Sequence, residues 1–258
     1  MRITACLVIY NEEKVIQRCL DSLNGVVDEI IIVHDGTCRD QTLSICRGYT
    51  DKIFVREHLG VCEPHRQFSI NKATGEWILI IDADEFLSES LRAIIKTLVN
   101  NKYVDAYSFL WDVRTNGKLI RKGYFGNAYR TVLFRKNKLE WYNGDILSFP
   151  KTTGETRRIG LKLHHIPGYD NFSLETFKTK WLKWCRIHAK RTVKSGRANL
   201  PAFMYLIKAP LSFFYHISTL IIRKSLLSES GLKITLLLSA YYFALNGYIF
   251  QEKTNAKH

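Results

Sequence analysis

A short apolar segment that ends in three acidic residues is the part of this sequence best suited to chemistry. Residues 77–81 are apolar and rich in β-branched side chains, and Asp82, Asp84 and Glu85 follow them. Such a continuous run predicts a strand buried on both faces of a parallel sheet. Carboxylates this close together raise one another's pKa unless a positive charge lies among them. The pattern predicts a bound Mg²⁺ or Mn²⁺ shared with substrate phosphates, and a solvated turn opening a helix is the alternative.

Strands and helices alternate around this segment. Apolar runs predict strands at residues 3–9, 29–33, 52–55 and 77–81, and helical spacing predicts helices near residues 15–24, 40–49, 64–73 and 88–100. The alternation predicts an α/β fold with a mostly parallel, Rossmann-like sheet and helices on both faces. From about Val104 the pattern predicts antiparallel strands at residues 105–114, 129–135 and 158–165, with a hairpin turn at Asn116-Gly117.

Polar side chains follow three of the predicted parallel strands. Asn11, Asp35 and Asp82 each come just after the carboxyl end of a strand. Ligands of open α/β sheets bind at that edge. The sequence contains neither a Gly-x-Gly-x-x-Gly nor a Walker A motif, which disfavours dinucleotide and P-loop chemistry. The pattern therefore predicts a nucleotide site built from carboxylates, an amide and a metal.

The basic charge of the chain is concentrated in its last third. Residues 176–258 contain 14 Lys and Arg but only two acids, whereas the first 175 residues hold 24 basic and 22 acidic residues. A basic region suits nucleic acid or an anionic membrane surface. The six cysteines have neither disulfide nor zinc spacing, and no signal-peptide pattern precedes the first strand. We therefore expect a cytoplasmic location with reduced thiols.

The C-terminal region alternates basic and apolar stretches. A helix is predicted over residues 173–194, with an aromatic stripe and a basic face, and apolar stretches follow at 200–222 and 234–250. The second stretch has 17 residues without a charge, which is short of the roughly 20 that a membrane span needs. We expect an interfacial hairpin at the cytoplasmic face of a membrane, peripheral or monotopic. A shallow span and a homo-oligomer interface are the alternatives.

Three segments in order resemble family 2 glycosyltransferases of the GT-A fold. They are residues 6–13 (CLVIYNEE) with 19–23 (CLDSL), residues 33–42 (VHDGTCRDQT) and residues 77–85 (WILIIDADE). The Asp-Ala-Asp-Glu form is typical of a subgroup that includes lipopolysaccharide-core glucosyltransferases. The resemblance is strong over residues 1–100 and weaker over 160–258.

The resemblance implies a division of the chain. Residues 1–172 would form the GT-A catalytic domain, with a nucleotide-binding half at 1–100 and an acceptor half at 101–172. Residues 173–258 would form a helical, membrane-apposed appendage.

The resemblance also implies roles for individual residues. The expected nucleotide-binding residues are Asn11 and Glu12 in the pocket, Asp35 at the base, Arg66 near the phosphates and Asp82 at the ribose. Asp84 would bind the metal, and His164 or His165 would complete its shell. Imidazole is a common metal ligand, although two histidines at a strand end are often one core and one surface residue.

The sequence departs from the family pattern at the catalytic base. It has no Glu-Asp dipeptide, no Gln-x-x-Arg-Trp and no His-Glu pair after an aromatic-Gly segment, and residues 141–145 occupy that last region. Asp145 is therefore the candidate base and Glu85 the second candidate. The missing Gln-x-x-Arg-Trp disfavours a processive polysaccharide synthase.

These observations predict a metal-dependent, inverting transfer of one sugar from a nucleotide-diphosphate sugar, expected to be a UDP-sugar, to a membrane-linked or lipopolysaccharide-type acceptor. A nucleotidyltransferase of similar fold is one alternative, although Asn11-Glu12-Glu13 stands where its Gly-rich loop would be. A non-catalytic basic protein that binds membrane or nucleic acid is another. The long uncharged C-terminal runs favour lipid over nucleic acid as a partner.

Overall fold

The structure, a computed structural model, describes residues 1–122, 125–140, 150–222 and 228–256. The chain forms two compact units. The first unit comprises residues 1–117 and 127–168, and the second comprises residues 118–126 and 169–258.

The first unit contains ten strands and four α-helices among the described residues. The strands are β1 (Ile3–Ile9), β2 (Glu29–Asp35), β3 (Ile53–Arg56), β4 (Trp77–Ile80), β5 (Glu85–Leu87), β6 (Ala106–Thr115), β8 (Tyr129–Arg135), β9 (Leu139–Glu140), β10 (Lys151–Thr152) and β11 (Thr156–His165), with β7 (Lys118–Leu119) assigned to the second unit. The helices are α1 (Ile16–Leu23), α2 (Thr42–Arg47), α3 (Glu63–Lys72) and α4 (Glu89–Val99).

Eight of these strands form one sheet in the order β3-β2-β1-β4-β8-β6-β11-β5. The neighbours from β3 to β4 are parallel, as predicted. β8 runs antiparallel to both β4 and β6. β11 pairs with β6 in parallel, so the prediction that all strands after Val104 are antiparallel is wrong for this pair. An alternating pattern indicates which side chains face a core, but it does not fix the direction of a strand.

Helices cover both faces of this sheet. All residues of β2 and β4 are buried, which explains the continuous apolar runs at 30–33 in β2 and 77–80 in β4. On one face, Leu7 packs with residues of α1, and on the other Cys6 packs with Ile70 of α3. α4 begins at the predicted cap, where Ser88 Oγ accepts a hydrogen bond from Leu91 N at 3.3 Å. The predicted α/β class is confirmed.

The second unit is helical. Its helices are α5 (Leu174–Thr176), which continues through a π-helical turn (Phe177–Trp181) into α6 (Leu182–Lys194), then α7 (Ala202–Ile222) and α8 (Glu229–Asn255). Ser173 caps the first of them by accepting a hydrogen bond from Thr176 N at 2.9 Å.

The apolar stretch at 234–250 lies within α8 and supplies the core of the second unit. Ile234, Leu238, Tyr241 and Ile249 are all buried. These side chains are covered by protein, whereas Leu236 and Phe243 of the same stretch are exposed, so lipid contact by this stretch stays a prediction. Among the described residues, each helix is too short or too polar to cross a bilayer.

A buried carboxylate at the start of β2 ties three segments of the first unit together. Glu29 accepts hydrogen bonds from the hydroxyl of Thr4, from Thr74 N at 2.8 Å and from Thr74 Oγ1 at 3.1 Å, and it pairs with Lys52. Burial alone would raise the pKa of Glu29, but the hydrogen bonds from Lys52 and the two threonines lower that pKa to about 2.

Replacing this carboxylate should destabilise the first unit in a pH-dependent way. We expect Glu29→Gln to lower the free energy of unfolding by about 2–3 kcal/mol at pH 7. Because the folded-state pKa lies below the unfolded value of 4.5, the ionised group stabilises above pH 4.5 and this contribution is lost as pH falls toward 2. Urea unfolding at pH 7 and pH 3 should therefore show a smaller difference at pH 3.

Glu89→Gln is the matched control, because the Glu89 side chain is 88% exposed and its ion-pair partner is Arg92 of the same helix. It should leave stability unchanged at both pH values. Equal destabilisation by Glu29→Gln at pH 7 and pH 3 would contradict the proposed cause.

Candidate active site

The acidic turn lies at the carboxyl edge of the sheet. β4 ends at Ile80, the turn follows, and β5 returns antiparallel to β11. In this pairing Glu85 lies opposite His165. β1, β2, β4, β6 and β11 all run in the same direction, so their carboxyl ends share one edge. The side chains that follow these strands therefore meet at one site.

Two arginines hold the first carboxylate of the turn. Arg66 Nη2 donates to Asp82 Oδ1 at 2.6 Å, and Arg130 Nη2 donates to Asp82 Oδ2 at 2.9 Å. Burial opposes ionisation of Asp82, but the two guanidinium groups outweigh it and hold the pKa of Asp82 well below its usual range. Asp82 is thus a fixed anion that still exposes 28% of its side chain.

The last carboxylate of the turn is enclosed. Glu85 is fully buried, pairs with Arg130, and accepts hydrogen bonds from Trp111 Nε1 at 2.8 Å and from Asp82 N at 3.0 Å. Burial raises its pKa against the opposing charge of Arg130. Both carboxylate oxygens of Glu85 are engaged inside the protein. This placement corrects the expectation that Glu85 is the second candidate base, and gives it a positioning role.

Asp84, between these two, faces a histidine. His165 Nε2 lies 3.3 Å from Asp84 Oδ2, and Ile166 N donates to Asp84 O at 2.9 Å. Burial would lower the pKa of His165, but the charge of Asp84 outweighs it and raises that pKa. The structure therefore brings together one predicted carboxylate ligand and one of the two predicted histidines.

The other histidine lies on the opposite face of β11. Successive side chains of a strand point to opposite faces. His164 stacks on Phe86 at 4.7 Å, and its Nδ1 lies 3.2 Å from Asp112 Oδ2. Burial lowers the pKa of His164. His164 is thus a partly buried packing residue away from Asp84, which corrects its assignment as a metal ligand.

The predicted base contact, Asp35, lies under the segment that follows β3. Its carboxylate accepts hydrogen bonds from Leu59 N at 2.6 Å and Gly60 N at 2.9 Å, and lies 3.0 Å from His65 Nε2. Gly36 has φ +92°, and a Cβ there would lie 2.7 Å from His58 Cβ. In this structure Asp35 is almost fully buried and shapes the loop over it.

Asn11 and Glu12 tie the end of β1 to the segment after β2. Asn11, at φ 51°, accepts a hydrogen bond from Arg39 N at 2.9 Å. Glu12 N donates to Thr42 Oγ1 at 2.6 Å, and Glu12 O accepts from Val15 N as α1 begins. The two residues are therefore placed at the same sheet edge as Asp35 and Asp82, as predicted. Asp145 lies outside the described residues.

The donor atoms for a cation come from one pair of side chains. Across residues 1–122, 125–140, 150–222 and 228–256, no three acidic, histidine or cysteine side chains group closely enough to hold a metal by themselves. Asp84 and His165 offer a carboxylate oxygen and an imidazole nitrogen, a donor set that suits Mn²⁺ or Mg²⁺ when phosphate oxygens supply further ligands. The residues present fit a cation shared with a diphosphate.

Comparison with known proteins now decides the family. The model of glycosyl transferase family 2 matches residues 4–187. The chain belongs to glycosyl transferase family 2. It is therefore a glycosyltransferase, which removes the nucleotidyltransferase and non-catalytic alternatives.

Relatives of this family 2 chain include an uncharacterized glycosyltransferase of Rickettsia typhi, 26% identical over 211 residues that cover 76% of this chain and 70% of the relative. The lipopolysaccharide core biosynthesis glycosyltransferase LpsC of Rhizobium meliloti is 26% identical over 228 residues, covering 82% of this chain and 78% of LpsC. The structure of S. aureus TarS 1–349 superposes with a TM-score of 0.51 at 15% identity, covering 100% of this chain and 92% of TarS 1–349. The similarity to TarS concerns the fold alone.

The buried Arg130 and the partly buried Trp111, which both contact Glu85 in this family 2 enzyme, were not predicted from the sequence. One signal was present: Arg130 is the only charged residue between Tyr129 and Phe134 in β8. A buried arginine requires a carboxylate partner. The resemblance, however, gives the three acids of the turn other roles: Asp82 at the nucleotide, Asp84 at the metal and Glu85 as the second candidate base.

Removing Arg130 should strongly destabilise the first unit of the glycosyltransferase. Arg130→Met leaves Glu85 and Asp82 without their shared cation, and we expect a loss of about 3–5 kcal/mol in the free energy of unfolding. Arg130→Met combined with Glu85→Gln should recover part of that loss, because one buried charge is then removed. Denaturant unfolding measures both.

Arg92→Met is the control, since Arg92 pairs with the exposed Glu89, and it should cost about 1 kcal/mol or less. If Arg130→Met cost no more than this control, Arg130 would not be the cation on which the turn depends.

Proposed function

We propose that this glycosyltransferase performs a metal-dependent, inverting transfer of one sugar from a UDP-sugar to a membrane-linked, lipopolysaccharide-type acceptor. The observation that carries the proposal is the Asp84–His165 pair, 3.3 Å apart, beside an Asp82 already neutralised by two arginines. At this edge the carboxylate of Asp84 and the imidazole of His165 would bind a cation. The carboxylate of Asp82, held in place by the two arginines, would accept hydrogen bonds from the ribose hydroxyls.

Two relatives support the choice of substrates. LpsC of R. meliloti is named for lipopolysaccharide core biosynthesis, which favours an acceptor of that class. The structure of S. aureus TarS 1–349 with UDP-GlcNAc shares the fold at a TM-score of 0.50 and 14% identity, which makes UDP-sugars the first donors to test.

The proposed division of labour follows the geometry. Asn11, Glu12 and the loop held by Asp35 form the nucleoside end of the site, and Asp82 with Arg66 lies toward the ribose and phosphates. Asp84 and His165 would hold Mg²⁺ or Mn²⁺. The bound ion would supply positive charge to the departing diphosphate. Glu85 and Arg130 hold the turn in place, so the oxygen of Asp84 stays beside His165.

The transfer itself forms one bond and breaks one. The acceptor hydroxyl oxygen attacks the anomeric carbon from the face opposite the diphosphate, the bond from that carbon to phosphate oxygen breaks, and UDP leaves with the electron pair. A carboxylate takes the hydroxyl proton as the oxygen attacks. We assign Asp145 as the carboxylate that takes this proton, because Glu85 is enclosed by Arg130, Trp111 and Asp82 N.

The metal assignment predicts different results for the two neighbouring histidines. We expect Asp84→Asn and His165→Gln each to weaken Mn²⁺ binding in the presence of UDP by at least about tenfold, because each removes a ligand. His164→Gln is the control and should bind like the wild type. Thermal shift with Mn²⁺ and UDP reads binding, and hydrolysis of a panel of UDP-, GDP-, dTDP- and ADP-sugars reads turnover and identifies the nucleotide.

Melting temperatures without ligand must match among these variants, so that a lost response reports binding. Donor hydrolysis that continues unchanged in Asp84→Asn, or in excess EDTA, would refute metal dependence.

The base assignment predicts a separation of binding from transfer. Asp145→Asn should bind UDP-sugar as the wild type does and lose transfer by at least about a hundredfold, because the acceptor proton then has no carboxylate to receive it. Calorimetry measures donor binding, and transfer to purified lipopolysaccharide core measures turnover. If Asp145→Asn transferred sugar at the wild-type rate, another group would have to be the general base.

A further inference from the structure

Helix α7 of the second unit exposes a continuous apolar side. Phe203, Ile207, Leu211, Phe214, Tyr215 and Ile222 are each between 51% and 79% exposed. Spacings of three, four and seven place these side chains on one side of the helix. Scattered exposed apolar residues are ordinary, whereas a contiguous stripe along a whole helix marks a surface that meets another phase or partner.

The opposite side of α7 is held by α8, so the orientation of the apolar side is fixed. Tyr205 and Ala209 are buried. The ring of His216 stacks on Tyr242 of α8 with centroids 4.1 Å apart and an interplanar angle of 8°. Asn246 Nδ2 donates to Ser212 Oγ at 3.1 Å. Because packing and a polar contact hold this side of α7 against α8, the apolar side of α7 faces away from α8.

The charges near α7 select the kind of partner. α7 contains no Asp or Glu, and Lys208 is exposed among its apolar residues. α6 of the same unit exposes Lys183, Arg186, Lys190 and Lys194. Residues 176–258 carry 14 basic residues against two acids. An exposed apolar helix side without acids, in a unit with this excess of basic charge, is what an anionic lipid surface attracts.

We propose that α7 is a membrane-docking helix that lies in the plane of an anionic bilayer, with its apolar side among the acyl chains and Lys208 at the headgroups. A second copy of the chain fits less well, because pairing this surface with itself would bring two strongly basic regions together. Nucleic acid would attract the lysines but would leave the apolar stripe exposed to water. The apolar side of α7 belongs entirely to the second unit, and this proposal does not depend on the proposed donor site.

Vesicle co-sedimentation of the full chain tests this surface. The vesicles are phosphatidylcholine alone, or phosphatidylcholine with about one-third phosphatidylglycerol. We expect the wild type to prefer the anionic vesicles, and the double variant Leu211→Ser with Phe214→Ser to partition at least about tenfold less. Raising the salt should weaken wild-type binding without abolishing it, since apolar insertion is not screened.

The matched control is Leu174→Ser, because Leu174 and Phe214 are both 67% exposed but Leu174 lies outside α7. This control should partition like the wild type. Partition of the double variant within about twofold of the wild type would overturn the proposal. The proposal would also be overturned if the wild type bound neither kind of vesicle and light scattering showed it to be a dimer, with the double variant a monomer. The thermal shift with UDP and Mn²⁺ should be the same in all three proteins, so failure here is distinct from failure of the donor site.

Discussion

Neutralising the buried carboxylate of Glu85 and the partly buried carboxylate of Asp82 is the condition on which the carboxyl edge of this sheet depends. Arg130 reaches both Asp82 and Glu85, and Arg66 adds a second guanidinium to Asp82. A buried charge without a partner costs several kcal/mol, whereas two cations among two anions leave the cluster balanced. The positive charge that an acidic turn requires is therefore supplied largely by the protein, and the turn keeps its shape without a ligand.

This balance separates the part of the turn that maintains the fold from the part that faces substrate. Glu85 is committed inward and Asp82 is held from two sides, while Asp84 lies against His165. Because β5 pairs in register with β11, the position of His165 follows from the position of Glu85. A change that frees Glu85 would therefore move the histidine and the carboxylate that we assign to the metal, even though Glu85 itself is enclosed by protein.

Much of the first unit follows from its sequence, and the exceptions have identifiable causes. Continuous apolar runs predict buried parallel strands, and the structure has β1, β2 and β4 where those runs lie. β5 is only three residues long, too short for any periodicity to show. The partners of Arg130 depend on pairing that skips Val132 between β6 and β8, and a slip of one residue changes the face to which side chains point. No local pattern reports such a slip, so the acids and Arg66 were predicted as site residues and Arg130 was not.

The two apolar stretches of the second unit show why hydrophobic content alone does not separate core from surface. α8 has the longer charge-free run, yet it is the buried helix, and its polar residues satisfy themselves within the helix. Thr235 Oγ1 donates to Gly231 O at 2.9 Å, Ser239 Oγ to Thr235 O at 2.8 Å and Asn246 Nδ2 to Tyr242 O at 2.8 Å. Such bonds remove the cost of burying polar groups. The side of α7 toward α8 includes Tyr205, Ala209, Ser212 and His216, whereas Phe203, Ile207, Leu211 and Phe214 remain more than half exposed, so packing against α8 leaves an apolar side of α7 outside.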